Sequence, residues 1–276
     1  MMSATRGCAI QQRANYFAST IAMPQRYAEQ RRRVWCGALT LLFLSIARAA
    51  WAYRPFDGTD AAVAEPGVFE IELGPAQYQQ IGPDGALFAP DVVFNYGLSE
   101  RWELVLQGSL TRSLQAEASG VALTGNGLFL KGMLREGSLQ EKLGPSIATE
   151  FGFLLPDISA DAPSGTGGAV SVIVSQRWAA LTAHLNASVA LTRQQRADIA
   201  FSAIVEGPNE WRVRPVAELF YEHDYGGIET RSALVGAIWR IRENVSVDVG
   251  LHGGWVNDQP LKEVRAGLTF AFGGSR

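Results

Sequence analysis

Residues 211–224, WRVRPVAELFYEHD, alternate between two kinds of side chain. Apolar or aromatic groups occupy every second position, at Trp211, Val213, Pro215, Ala217, Leu219 and Tyr221. The positions between them carry most of the charge, at Arg212, Arg214, Glu218 and Glu222, with Val216 and Phe220 among them. A period of two places these sets on opposite faces of a β-strand. A soluble sandwich would bury the apolar face in a core, whereas a bilayer barrel would turn it toward lipid.

The same alternation recurs from Tyr53 to the end of the chain, without a convincing amphipathic helix. It predicts twelve strands, at 68–74, 88–96, 102–110, 126–135, 146–155, 169–176, 181–191, 199–206, 211–222, 231–240, 245–252 and 263–272. Short connections alternate with longer ones rich in turn residues, which are predicted at 74–86, 111–125, 156–168, 192–198, 223–230 and 253–260. An even strand count with this alternation is typical of bacterial outer-membrane barrels and predicts both termini on the periplasmic side.

The charges stay on one face through all the predicted strands. The candidate lumen-lining residues are Glu70, Glu72, Glu103, Lys131, Glu150, Arg212, Arg214, Glu218, Glu222, Asp248 and Arg265. Such charges could neutralise one another across the lumen or set the selectivity for solutes, and both roles stay open. Closure by pairing of 68–74 with 263–272 is expected to bring Glu70 and Glu72 close to Arg265.

A solvated sheet face would show the same charge pattern, so other features must separate a membrane barrel from a soluble one. Aromatic residues fall near strand ends, as in interfacial girdles, at Tyr96, Trp102, Trp178, Trp211, Tyr221, Trp239 and Phe272. The last predicted strand is rich in Phe, as barrel-assembly signals are, although four residues follow Phe272. A secretory leader would direct such a chain out of the cytoplasm and toward the outer membrane. A bilayer accepts a sheet only as a closed barrel.

The first 52 residues predict that leader. Arg31–Arg33 precede the apolar run 34–47, and small residues follow at Ala50 and Ala52, so cleavage is expected before Tyr53. An uncleaved signal anchor is the alternative. Residues 1–22 are interpreted as an extension ahead of a true start at Met23, and 53–276 as the barrel.

Composition narrows the partners further. The net charge of −3 gives no indication of nucleic-acid binding. The two cysteines, Cys8 and Cys36, precede the predicted cleavage, so the exported chain would carry no thiol and no disulfide framework. The predicted partners are outer-membrane lipid, the barrel-assembly machinery and a small-molecule solute, and no cofactor is predicted.

Four stretches of the strands, 54–74, 88–108, 175–178 and 212–220, resemble the bacterial family of MetA-pathway of phenol degradation proteins, which are often labelled transporters. The resemblance extends over most of the mature chain and rests on strand and turn patterns. It implies a Gram-negative outer-membrane barrel and a link to the uptake of small aromatic or hydrophobic compounds. It implies no catalytic residues.

Catalytic and metal sites are weaker alternatives. His184, Asn186 and Ser188 share one face of a predicted strand and offer the residue types of a lipid hydrolase, but that face is the predicted lumen side. The three histidines show no metal-like spacing, although His223, Asp224 and Asp258 could meet above the barrel. The glycine-rich segments 125–127 and 165–168 lack the helix and lysine of a phosphate-binding loop.

The sequence therefore predicts an all-β protein, a single closed antiparallel transmembrane barrel of about twelve strands behind a signal peptide. The expected function is that of a channel or transporter for small solutes and not of an enzyme. A barrel plugged by residues 53–66 or by a loop, with a structural role, is the main alternative, and a lipid-modifying hydrolase is the other.

Overall fold

In the computed structural model the described residues are 54–115, 120–159 and 165–273. The predicted leader, with its cleavage site and both cysteines, lies outside them. Twelve strands form, namely β1 (Val68–Ile81), β2 (Asp84–Ser99), β3 (Trp102–Ser113), β4 (Ala122–Arg135), β5 (Ser146–Leu154), β6 (Gly167–Arg177), β7 (Thr182–Leu191), β8 (Ala197–Glu206), β9 (Val213–Asp224), β10 (Ile228–Arg242), β11 (Val245–Val256) and β12 (Gln259–Gly273). The predicted strand count is confirmed.

The strands form one closed barrel in which every strand pairs antiparallel with its neighbours in the sequence. The predicted seam is confirmed, because β1 pairs with β12 from Val68 opposite Gly273 to Ile81 opposite Leu261, with a shift of register after Leu73. Closure leaves no strand edge unpaired, which is the condition for a sheet to cross a bilayer. A short 3-10 helix, Ser138–Gln140, lies in the connection between β4 and β5. In the described part of the chain no helix is long and apolar enough to cross a membrane.

Several of the connections that were predicted to be long loops are tight turns. At the barrel end opposite the start of β1, β1 and β2 extend through the predicted loop 74–86 and leave a two-residue turn. The predicted loops 223–230 and 253–260 likewise shrink to tight turns. Asn257 and Asp258 adopt φ values of 45° and 65°, the left-handed conformation that two-residue hairpins require. Residues with turn chemistry thus lie at the turns, but each turn needs only two or three of them.

The outer surface of the barrel is apolar. The side chains predicted to face lipid are exposed or half-buried, and examples at mid-strand are Leu185, Leu219 and Leu251, with exposed fractions of 58%, 66% and 58%. Exposed tryptophans lie at the end of the barrel where β1 starts and β12 ends, at Trp102, Trp178, Trp211 and Trp239. Tyr78, Tyr225 and Trp255 are exposed at the opposite end. An apolar band flanked by two girdles of aromatic residues is typical of the outer surface of a membrane barrel.

Candidate functional site in the barrel lumen

The inner face of the barrel carries most of the predicted lumen residues. Eight of them are buried inside it: Glu70, Glu72, Glu103, Lys131, Arg214, Glu218, Asp248 and Arg265. Glu150 and Glu222 are half-buried. Arg212 is a correction, because it lies in the turn before β9, is exposed, and donates a hydrogen bond to the carbonyl of Ile241. The strand was predicted to start two residues too early, since the alternation runs on through the turn.

The segment that precedes β1, residues 54–66, lies inside the lumen and is called the plug. Its side chains and backbone bond to strands around the barrel, from β2 and β11 through β9 and β7 to β4 and β3. A barrel of twelve strands has a lumen between the filled interior of eight-stranded barrels and the open channel of larger porins. It can therefore hold one additional chain segment, and here it does.

The plug begins at a buried cluster around Arg54. The Arg54 guanidinium forms an ion pair of 2.5 Å with Asp91 and lies 3.9 Å from the carboxylate of Asp248. Its backbone N–H donates to Glu72 at 3.2 Å, and Asn95 donates to the other oxygen of that carboxylate at 3.0 Å. Two carboxylates of the barrel wall thus face the guanidinium of Arg54, and a third, Glu72, accepts its backbone N–H.

A second cluster holds the next residues of the plug. Arg265 donates to the carbonyl of Pro55 and to Asp57, both at 2.7 Å, and forms an ion pair of 2.5 Å with Glu263. His252 lies 3.0 Å from Glu263 and 3.5 Å from Asp57. All members of the cluster are at least partly buried, and the hydrogen bonds between them join charged groups. These bonds fix the position of Asp57 in the lumen.

The expected approach of Glu70 and Glu72 to Arg265 is wrong. The register places Glu72 opposite Thr269, whereas Arg265 lies opposite Gln77. Four residues of an extended strand separate the two levels by about 13 Å. The partner of Arg265 is instead a plug residue, which a strand-to-strand argument could not supply.

Glu218 of β9 binds the backbone of the plug. Its two carboxylate oxygens accept the N–H groups of Asp57 and Gly58, each at 2.8 Å. Ser202 donates a third hydrogen bond at 2.6 Å. This buried carboxylate is satisfied by neutral donors, which replace the water it would otherwise need.

The middle of the plug is held by an amide and an ammonium group. Thr59 donates its N–H to Asn186 at 3.1 Å and accepts from the same amide at 2.9 Å through its carbonyl. The ammonium group of Lys131 lies 3.4 Å from the hydroxyl of Thr59 and 3.6 Å from the carboxylate of Asp60. Both wall residues therefore bond to the plug at two points each.

Apolar contacts support the polar ones. Phe56 packs against a buried patch of the inner wall formed by Val216, Leu234 and Ile238. Ala61 is fully buried against a second patch formed by Ala148 and Ile173, with Leu139 beside it. Where the plug leaves the lumen, a Cβ at Gly97 would lie 2.0 Å from the carbonyl oxygen of Glu65. Only glycine permits this close approach.

The structure gives His184 a different serine partner from the one in the hydrolase hypothesis. The partner of His184 is Ser175 on the neighbouring strand, at 2.8 Å, and not Ser188. Its other ring nitrogen lies 3.3 Å from Glu206, which forms an ion pair with Arg214. Ser175 is fully buried and accepts the N–H of Ala61 at 2.9 Å. The plug covers the hydroxyl of Ser175, so this row of side chains, from Ser175 through His184 to Glu206, is placed to hold the plug.

The histidines do not form a metal site in the described residues, where no group of three or more metal-ligating side chains occurs. His252 belongs to the Arg265 cluster and His184 to the Ser175 row. His223 stacks edge-on against Tyr225, with ring centroids 4.7 Å apart.

A cavity of about 350 Å³ remains beside the plug. Plug residues between Arg54 and Thr59 form one side of it, and residues of the strands, most of them inward-facing, form the rest. Among these are the acidic residues Glu72, Asp91, Glu103 and Glu150 and the apolar residues Val93, Val105, Phe129 and Phe220. The lumen is thus narrowed by the plug but not filled.

The sequence argument missed the plug anchors Arg54 and Asp57, because they precede the first strand and show no alternation. Glu263 was missed as well: it shares the charged face of the last predicted strand with Arg265 but is not among the candidates. The charges of 54–60, two acidic and one basic in a segment without strand pattern, were the available signal.

No family model matches the sequence, and no curated protein matches it. The resemblance to the phenol degradation family therefore stays a prediction. Among solved structures the chain is similar to the COG4313 outer membrane channel from Pseudomonas putida F1, with a TM-score of 0.57 and 10% identity over 79% of this chain and 100% of that one. It is also similar to the KdgM porin, with a TM-score of 0.49 and 10% identity over 74% and 99% of the two chains. A third similarity, to the CymD monoaromatic hydrocarbon channel, has a TM-score of 0.43 and 8% identity over 77% and 90%.

The first of these similarities bears on the fold. At this level of identity it shows a shared architecture and leaves the solute open. The chain has the fold of an outer-membrane β-barrel.

Proposed function

We propose that this protein is an outer-membrane channel for small solutes whose lumen is closed by its own plug. The observation that carries the proposal is the closed barrel with an apolar exterior and a charged, partly empty lumen. A lumen that served packing alone would be filled by side chains, as in small barrels. Here a separate chain segment occupies it, and it is held by side-chain contacts that can break without unfolding a strand.

The plug supports a second candidate, a barrel with a structural role in the envelope. The plug bonds to many strands, and this density of contacts would also suit a lumen that never opens. The two candidates differ in one observable, which is whether the lumen conducts once the plug is absent.

Planar-bilayer conductance of the intact protein and of a variant lacking residues 54–66 distinguishes them. The intact channel is expected to be closed for most of the time, with brief openings when the plug leaves the lumen. The deletion variant is expected to give long-lived discrete conductance steps. Heat-modifiable migration on gels controls for folding, and substitution of Asp258→Asn in an exposed turn is the matched control. A folded deletion variant that does not conduct contradicts the channel function.

A further inference from the structure

The cavity beside the plug combines an apolar wall with an excess of carboxylates. Phe129 and Val105 are direct cross-strand partners, both buried and facing inward. On the same face, Glu103, Lys131 and Glu150 form a row across β3, β4 and β5. The apolar pair thus lies two residues along the strands from the charged row.

The charge of this cavity is negative. Five carboxylates line it, at Asp57, Glu72, Asp91, Glu103 and Glu150, against two cations, Arg54 and Lys131. Arg54 pairs with Asp91. Lys131 lies opposite both Glu103 and Glu150 in the sheet and 3.6 Å from Asp60, so with Asp60 the two cations are shared among six carboxylates. Enclosed walls of low dielectric strengthen the resulting field and favour cations in the cavity.

Two carboxylates of the row retain unused hydrogen-bonding capacity. One oxygen of Glu103 accepts the N–H of Ala64, but its other oxygen, Oε1, is buried and has no hydrogen-bond partner. The carboxylate of Glu150 accepts no hydrogen bond from any residue that the structure describes. Buried carboxylate oxygens are normally satisfied. Both residues line the cavity, so Glu150 can accept donors from a ligand directly, and Glu103 can do so once its carboxylate rotates toward the cavity.

We infer that the cavity binds a small organic ammonium ion that carries an apolar group of about the size of a ring. The ammonium group donates hydrogen bonds to Glu150 and Glu103, and the apolar group packs against Phe129 and Val105. A volume of about 350 Å³ falls within the range of small-molecule sites. The inference rests on the proposed channel function, since it names the class of solute that the lumen would admit.

Neutral and anionic solutes fit this cavity less well. A neutral aromatic molecule would leave the carboxylates without donors, and an anion would be repelled by them. A small ammonium ion without an apolar group would gain nothing from the phenylalanine wall. Affinity should therefore require both halves of the ligand.

Isothermal titration calorimetry of the full-length protein in nanodiscs tests this with benzylammonium, benzoate and methylammonium. Benzylammonium is expected to bind at least about tenfold more tightly than methylammonium, because burial of its ring contributes more than 1.4 kcal/mol. Benzoate is expected not to bind. Glu150→Gln should weaken benzylammonium binding about tenfold through the loss of a charge-assisted hydrogen bond. Among the described residues no hydrogen bond or ion pair joins Glu150 to the plug, and Glu243→Gln in an exposed turn is the matched control.

Binding of benzoate as tight as that of benzylammonium, or an unchanged affinity in Glu150→Gln, overturns the inference. Since calorimetry does not require conduction, the two proposals fail separately. A deletion variant that conducts without benzylammonium binding in the intact protein contradicts the cavity site alone. Benzylammonium binding with a deletion variant that does not conduct contradicts the channel function alone.

Discussion

At the scale of single residues, Lys131 shows how the lumen balances buried charge. Only 1% of it is exposed, and it faces Asp60 of the plug and the carboxylates of Glu103 and Glu150 on the flanking strands. Burial of an ammonium group is costly unless carboxylates surround it, and burial of the carboxylates is equally costly without the ammonium group. The residue therefore stabilises the wall and the plug together.

Replacement of this cation by an apolar group of similar length is expected to be strongly destabilising. Lys131→Met should lower the free energy of unfolding by about 3–5 kcal/mol, because it leaves buried carboxylates uncompensated. Lys262→Met, at an exposed outward position near the start of β12, should change it by less than about 1 kcal/mol. Guanidinium unfolding of both variants in lipid vesicles measures the difference, and equal losses would show that Lys131 is not the compensating charge.

At the scale of elements, the seam between β1 and β12 closes the barrel. Phe69 lies between Phe272 and Tyr96 on the outer face, with ring centroids 5.9 and 4.4 Å away. The same pairing turns Glu72 and Thr269 inward, where both are buried. Alternation along both strands thus agrees with their register, as a closed barrel with a polar interior requires.

A cysteine pair reports this register directly. Glu72→Cys combined with Thr269→Cys should form a disulfide on oxidation, since directly opposed residues lie at the distance a disulfide spans. Glu72→Cys combined with Arg265→Cys should not, because the second position is four residues along the strand. The predicted cleavage before Tyr53 would remove Cys8 and Cys36, and with them every competing thiol. Crosslinking of the second pair but not the first, measured by gel shift, would contradict the register.

At the scale of the whole molecule, the plug and the barrel form one interior. Ion pairs at Arg54 and Asp57, backbone contacts at Glu218 and apolar contacts at Phe56 hold the segment at several levels. Opening of the lumen needs these contacts to break together. In the proposed channel, such a segment would keep the lumen closed at rest.

A covalent bond between plug and wall should abolish the openings. A Cβ at Gly58 would lie 2.9 Å from the Cβ of Ser202, so a shift of about 1 Å gives disulfide geometry. In the Gly58→Cys, Ser202→Cys variant we expect no conductance under oxidising conditions and a return of brief openings after reduction. Gly58→Cys alone controls for the effect of the side chain. Openings that persist in the fully oxidised variant would mean that solutes pass without movement of the plug.

The sequence alone was sufficient for the twelve strands, their two faces and the closing pair. The reason is local, since a period of two assigns each side chain of a strand to one face, and Leu219 and Glu218 already differ in the alternation of β9. The turn residues Asn257 and Asp258 lie within a predicted loop, although the residues on either side of them continue the strands.

Tertiary structure decided how the lumen charges pair. Arg265 bonds to Asp57, more than two hundred residues earlier in the chain, and not to Glu70 or Glu72 as expected. Periodicity fixes the face of a residue but not its level along the barrel axis, which depends on register, strand tilt and bulges such as the one after Leu73. Residues 53–66 were one of two plugs that the sequence left open, the other being a loop, and a segment without period, such as 54–66, carries no directional signal to choose between them. Its place in the lumen follows only from the closed wall that surrounds it, where buried carboxylates such as Glu218 require donors that no strand supplies.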